Sequence, residues 1–385
     1  MNSRATLASA LLLGSWCPLT PAALVAQSQA GAASGDVGAT IAERVRGAAE
    51  AEFAKSPVGA LSIALLHDGQ AGTLHLGHAD GRQGPPPTGT TVYRLGSVTK
   101  NFTALMLLQL EAADRCRFSD PVERYLPEFA QIPSPPPSGA KVTLVQLATH
   151  TSGLVRDPEP AEPFQLGPVA QWRTSLKGAL LGTHYRADPG STFSYSNIGY
   201  ACLGAALEQI AGKPYATYMS ERILQPLGMT DTVFELQPAQ RARLAPGYTI
   251  SHDGASTDEA EAELAGRGYR LPVGGLFSTV DDMTRWLRFQ MGEPAPDVFS
   301  AAALAAAQRR VVLSGPGLRS GYGIGVQLRR FGEVVVFGHS GGVPGYQAEM
   351  FFDPERHIGI VMLRSAVFGG FDSGAILAAA FAPPR

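Results

Sequence analysis

The chain has 385 residues, a formal net charge of −2, 45% hydrophobic and 17% charged residues. That length supports a substantial core in one large domain or two intertwined ones. The near-neutral charge gives no electrostatic footprint for nucleic acid or an anionic membrane, so neither is an expected partner.

The N-terminus has the pattern of an export signal. Arg4 precedes a short apolar core at Leu7–Leu13, and the small residues around Ala22–Ala26 suit cleavage, so residues 1–30 are assigned to a signal peptide. The apolar core is too short to span a bilayer, and the mature chain contains no candidate span. The expected location is the periplasm or outside the cell. Cys116 and Cys202 then remain; both sit in apolar patterns, and they either pair or act as small hydrophobes.

Residues 37–55 read as an amphipathic helix, followed by strands at Ala60–His67 and Gly72–His78 around an Asp68–Gly69 turn. His67, His75, His78 and Asp80 read as strand-surface residues, since alternation separates them and no metal-ligand pattern emerges. Further helices are expected after Asp120, at Leu144–Leu154 closed by Gly153, at 197–212, 214–224, 279–290 and 300–309. Asp253–Leu264 is expected to be a solvated acidic loop. From Tyr322 the period returns to two. Strands are expected at Ile324–Leu328, Val334–Phe337, Ala348–Phe352 and Ile358–Leu363, with a closing helix at Ile376–Phe381. Strands at both ends with helices between imply an α+β fold. Residues 31–95 and 310–385 would form a mostly antiparallel sheet subdomain, 96–309 an inserted all-helical one, with a site in the cleft between them.

Three short motifs carry the chemistry. Ser97 stands at the start of an apolar helix, and Lys100 lies one turn on, where an amine lowers the cost of deprotonating the hydroxyl. Ser194-Tyr195-Ser196-Asn197 precedes the next long helix. Asn stands at only three positions (2, 101 and 197), so the Tyr-x-Asn spacing is uncommon here. Tyr195 can act as general base and Asn197 as a substrate hydrogen-bonder; the structural alternative is an Asn197 helix cap. His339-Ser340-Gly341-Gly342 ends a strand, where glycines allow a close backbone approach; Ser97 N–H and Gly342 N–H are the expected oxyanion donors. Gly338–Gly342 also satisfies G-x-S-x-G, but the sequel is a turn and another strand instead of the helix that a nucleophile elbow needs.

Ser97-Val-Thr-Lys100, Tyr195-Ser-Asn197 and His339-Ser-Gly341, in this order, resemble the three motifs of the serine β-lactamase/penicillin-binding-protein superfamily. The branch resembled holds class C β-lactamases, DD-carboxypeptidases, D-aminopeptidases and family VIII esterases. Leu147–Leu154, Pro226–Met229, Gly274–Thr279 and His339–Gly345 agree with it, and the likeness runs from about residue 40 to the last strand. The resemblance implies a β-lactamase/transpeptidase-like fold. It also implies an acyl-enzyme on Ser97, proton transfer by Lys100 and Tyr195, and substrate binding by Asn197, His339, Ser340 and Gly341, without metal or cofactor. His150 would be structural. Class C β-lactamases carry Lys-Thr-Gly at the third motif; His339 in place of that Lys is a weaker anchor for a carboxylate. The expected activity is hydrolysis of a D-amino-acid peptide or amide, or of a small ester. The alternatives are true β-lactam turnover, or a non-catalytic ligand-binding protein on the same fold.

Overall fold

The computed structural model describes residues 32–161, 163–309, 312–313 and 320–382. The expected signal peptide lies outside them. Chain contacts divide at Thr40, and the architecture below is that of Ile41–Arg385.

Thirteen strands occur among the described residues. They are β1 (Ala60–His67), β2 (Gln70–Gly77), β3 (Val92–Arg94), β4 (Tyr248–Ser251), β5 (Gly254–Ser256), β6 (Phe277–Thr279), β7 (Val312–Leu313), β8 (Ser320–Tyr322), β9 (Gln327–Phe331), β10 (Val334–Val343), β11 (Tyr346–Asp353), β12 (Ile358–Arg364) and β13 (Ala366–Phe368). Eight of them form one sheet in the order β2-β1-β12-β11-β10-β9-β8-β7. β1 from the N-terminal part pairs antiparallel with β12 from the C-terminal part, Leu61 opposite Arg364 through His67 opposite Ile358. The two ends of the chain therefore share one sheet.

Side-chain alternation feeds two cores from that sheet. Leu61, Ile63 and Leu65 of β1 join Ile41, Val45 and Ala49 of helix α1 (Ala32–Lys55) and Ile376 and Leu377 of the C-terminal helix Ser373–Phe381. Ala60, Ala64 and Leu66 face the other way, into the larger core beneath the helical part. There α2 (Thr99–Ala112) is buried from Thr99 through Leu108, so the apolar helix is enclosed on all sides. Phe102 stacks on Trp286 with ring centroids 3.8 Å apart.

Several expectations need correction. The segment 96–309 is not all-helical, because β4, β5 and β6 lie within it; β6 pairs with β3, and β4 lies parallel to β13. The helix expected to reach Leu154 stops at Ala148, and His150 takes a left-handed φ of 57° that helical backbone excludes. After Asp120 the short helix is replaced by two 3₁₀ turns, Val122–Arg124 and Pro127–Gln131. Asp253–Leu264 is largely exposed, as expected, but it is not a loop throughout: it contains β5, a helix at Asp258–Ala262 and a 3₁₀ turn beginning at Glu263. Glu263 is buried there because it pairs with Arg94 at 2.7 Å and with Arg267. The strand expected at Ile324 begins at Gln327, and β10 runs on through the third motif to Val343. Ser340 therefore sits inside a strand, which excludes a nucleophile elbow. Cys116 and Cys202 are buried and free. His75 pairs with Ser62, His78 with the Gly84 carbonyl, and Asp80 with backbone N–H groups of the following turn, so these side chains are engaged separately.

Candidate active site

Ser97 lies on the single 3₁₀ turn Gly96–Val98 that leads directly into α2. Two glycines press β10 against this turn. A Cβ on Gly341 would come 1.9 Å from the Leu95 carbonyl oxygen, and one on Gly96 (φ 51°) would come 2.8 Å from Gly342 N. No other residue type permits this approach, which brings the Ser97 backbone beside the strand bearing the third motif.

Lys100, one helical turn on, is fully buried. Its Nζ lies 2.9 Å from Ser97 Oγ, 3.0 Å from Asn197 Oδ1 and 3.3 Å from the Val273 carbonyl oxygen. Burial first, and the Arg156 charge second, hold its pKa well below the ordinary lysine value; Asp157 opposes them. Tyr195 is half-buried, with Lys100 Nζ 4.9 Å from its ring centroid on one side and Arg156 5.0 Å away. Crowding around its hydroxyl raises its pKa to about 12, opposed by a hydrogen bond with Ser97. At neutral pH the phenol keeps its proton, and burial favours the uncharged form of the amine as well.

The Tyr195 motif opens the helix Asn197–Ala211, but its cap is Ser196, whose Oγ accepts from Gly199 N at 3.0 Å. Asn197 is released from capping. Its Oδ1 accepts from Lys100, while Nδ2 donates to both Asp157 oxygens at 3.1 and 3.2 Å. Asp157 also accepts from Tyr269 at 2.8 Å and Arg270 at 3.0 Å. Burial alone would raise the Asp157 pKa; Arg270 and these hydrogen bonds outweigh it and hold the carboxyl below its usual range.

His339 is fully buried and turned away from the cleft. It accepts from the Tyr322 hydroxyl at Nε2 (2.9 Å) and donates from Nδ1 to the Ser340 carbonyl (2.6 Å). Burial, helped by the Lys100 charge, pushes its pKa down to about 3, so the ring is neutral. Ser340 points the other way, into the cleft. Its hydroxyl accepts from Arg329 and donates to the buried Glu349. His150 packs under Tyr195 at 4.1 Å between ring centroids and accepts from Ser196 N at 3.0 Å, which fixes the turn before Asn197.

Two cavities meet at Ser97. The larger, about 840 Å³, is lined by Ser97, Tyr195, Ser340, Gly341, Gly342 and the apolar Phe368 and Phe371. The smaller, about 170 Å³, is lined by Ser97, Asn197, Gly342, Arg156, Arg267 and Arg270. Of the residues singled out in the sequence, Lys100 lies beneath the opening and His339 behind it; Ser97, Tyr195, Asn197, Ser340, Gly341 and Gly342 line one cavity or both. The sequence reading missed Arg156, Asp157, Tyr269, Arg270 and Glu349. None stands in a recognisable spacing with the three motifs, and only the folded chain brings them to the cleft. Among the described residues no cluster of three or more His, Cys, Asp or Glu could hold a metal ion, and no helix is long and apolar enough to cross a membrane.

A hydroxyl, a buried amine and a phenol around one cleft, between an antiparallel sheet and a helical region, define a serine hydrolase of the β-lactamase/transpeptidase-like fold. Residues 41–381 match the β-lactamase family, and the chain belongs to that family. It is 31% identical over 289 residues to the D-alanyl-D-alanine-carboxypeptidase/endopeptidase AmpH of Escherichia coli K12, covering 71% of each chain. It is 25% identical over 279 residues to protein flp of Staphylococcus aureus MRSA252, covering 72% of this chain and 53% of that protein. In fold it resembles the D-amino acid amidase of Ochrobactrum anthropi SV3 (TM-score 0.74, 24% identity, 88% of this chain and 97% of that one). It also resembles a class C β-lactamase (TM-score 0.73, 20% identity, 89% and 95%).

Proposed function

We propose that the chain is an exported hydrolase that forms an acyl-enzyme on Ser97 and acts on a D-amino-acid peptide or amide, or on a small ester. The observation that carries this reading is Lys100 Nζ, fully enclosed and depressed in pKa, 2.9 Å from Ser97 Oγ.

The neutral amine takes the Ser97 proton as Oγ bonds to the substrate carbonyl carbon. Negative charge on the carbonyl oxygen is received by the N–H groups of Ser97 and Gly342. Tyr195 gives its proton to the departing nitrogen or oxygen as the C–N or C–O bond breaks, and the Lys100 ammonium reprotonates the phenolate. Water then attacks the acyl carbon, giving its proton to the same amine–phenol pair; the bond from that carbon to Ser97 Oγ breaks, the proton passes back to Oγ through Lys100, and the acid product leaves. Asn197, with its amide fixed between Lys100 and Asp157, and Ser340 and Gly341 on the strand edge position the substrate. His339 orients Tyr322 and the strand from behind. A neutral ring at this position offers no cation to a β-lactam carboxylate, which favours peptide, amide or ester turnover over that of β-lactams. The relation to a D-alanyl-D-alanine-carboxypeptidase/endopeptidase supports the peptide side of the reading.

The test is a substrate panel of p-nitrophenyl acetate and butyrate, a D-Ala-D-Ala peptide, a D-amino-acid amide and nitrocefin, run on wild type and Ser97→Ala. Turnover of at least one ester, amide or peptide, lost in Ser97→Ala, is the expected result. Equal turnover by the variant would remove Ser97 from the chemistry, and no turnover with no covalent adduct would favour the ligand-binding role.

A further inference from the structure

The smaller cavity beside Ser97 carries more positive charge than its own carboxylates neutralise. Arg156, Arg267 and Arg270 line it, and Asp157 is the only carboxylate in its wall. Asp157 is already engaged by Arg270 at 3.0 Å, with Arg156 at 3.7 Å. Arg267 pairs with Glu263, but Glu263 is shared with Arg94 at 2.7 Å. Counting these partners, four guanidinium groups stand against two carboxylates. The surplus is partly desolvated. Arg267 is only 7% exposed, and its Nε, out of reach of solvent, has no hydrogen-bond partner, so its charge is poorly compensated in the interior. The wall is also continuous with the reaction centre, since Ser97, Asn197 and Gly342 belong to it.

We propose that this cavity seats a carboxylate borne by the substrate on the Asn197 side of the bond cut at Ser97, held by Arg156, the buried Arg267 and the half-buried Arg270. The inference rests on the acyl-enzyme reading and adds the substrate class: acyl groups ending in a carboxylate one short chain away from the reacting carbonyl. A guanidinium matches a carboxylate in a two-pronged geometry, and a cavity of about 170 Å³ admits such a group with a few carbons. The larger cavity on the opposite side of Ser97 shares Arg156, but its wall adds no second guanidinium and carries the carboxylates Glu259 and Glu349; His339 is neutral and turned away, and Ser340 is tied to Glu349 and Arg329.

The experiment compares p-nitrophenyl pentanoate with the mono-p-nitrophenyl ester of glutaric acid, which differ only in a terminal methyl against a carboxylate. Each rate is taken above that of Ser97→Ala, which removes spontaneous and intramolecular hydrolysis. Wild type is expected to prefer the anionic ester by about tenfold or more in kcat/KM. That ratio should fall about fivefold or more in Arg156→Gln, fall further in Arg156→Glu, and shrink as ionic strength rises. The Arg156 side chain is 67% exposed, so these variants keep the fold, and a ratio cancels any common effect on the Tyr195 ring beneath it. A wild-type ratio of one or less, or one untouched by Arg156→Glu, overturns the carboxylate seat while leaving Ser97 as nucleophile. If wild type turns over neither ester faster than Ser97→Ala, both the acyl-enzyme reading and this one fall.

Discussion

Lys100 and Tyr195 are displaced in opposite directions by the same cause, burial: the amine below its ordinary pKa and the phenol up to about 12. Burial thus favours the uncharged form of each, and under the proposed mechanism Lys100 accepts the Ser97 proton. Below its depressed pKa Lys100 is an ammonium and cannot do so. kcat/KM should then rise with pH to a plateau that persists until Tyr195 ionises. Tyr195→Phe should lower the plateau by about 10²–10⁴-fold without moving the acid limb; a limb that moved would assign the titration to Tyr195. Asp157 supplies the sharper test. Its charge raises the Lys100 pKa, so Asp157→Asn should shift the acid limb to lower pH. A shift to higher pH in the stopped-flow profile would contradict this electrostatic account.

The third motif works as an element because β10 can touch the Ser97 turn, and Gly341 sets that distance. Gly341→Ala would place a Cβ 1.9 Å from the Leu95 carbonyl, so the strand must retreat from Ser97. The expected loss is about 10²-fold or more in kcat, measured well below the variant's lowered melting temperature, consistent with a displaced oxyanion donor. Unchanged kcat would mean that the strand edge plays no part in turnover. Elements of this kind were legible in the sequence to unequal degrees. The α2 helix, the β1–β2 hairpin and the Asn197 helix rest on local periodicity and turn residues, and they appear where expected. The path of residues 149–154 does not, because a left-handed His150 under Tyr195 is decided by aromatic packing and by the Ser196 N–H. Asp258–Ala265 looks solvated for its acidity, yet Glu263 is drawn inside by Arg94, 169 residues away in sequence. Asp157 was invisible for the same reason: its role comes from Arg270 and Tyr269, more than a hundred residues on.

At the scale of the whole molecule, buried charges join segments far apart in the chain. Arg94 on β3 is fully buried and meets Glu263 from the segment 253–265, with Arg267 on the same carboxylate. Removing the carboxylate leaves two guanidinium groups uncompensated in the interior. Glu263→Ala should cost about 3–5 kcal/mol in a urea melt, and a loss under about 1 kcal/mol would show the pair to be dispensable. His339 adds a pH dependence. Its pKa falls from the ordinary 6.5 to about 3 on folding, so the unfolded chain binds the extra proton in that interval. Stability is therefore full above about pH 6.5 and declines as pH falls toward 3. In His339→Gln the melting temperature should vary less over that range, and an unchanged slope would place the titration elsewhere.

The central claim is that Ser97 is the residue that becomes acylated. Intact-protein and peptide mass spectrometry after treatment with a fluorophosphonate tests it most directly. One adduct per chain on the peptide containing Ser97, absent from Ser97→Ala and slowed in Lys100→Met, is the predicted result. An adduct on Ser340, or none on a folded protein, would contradict it.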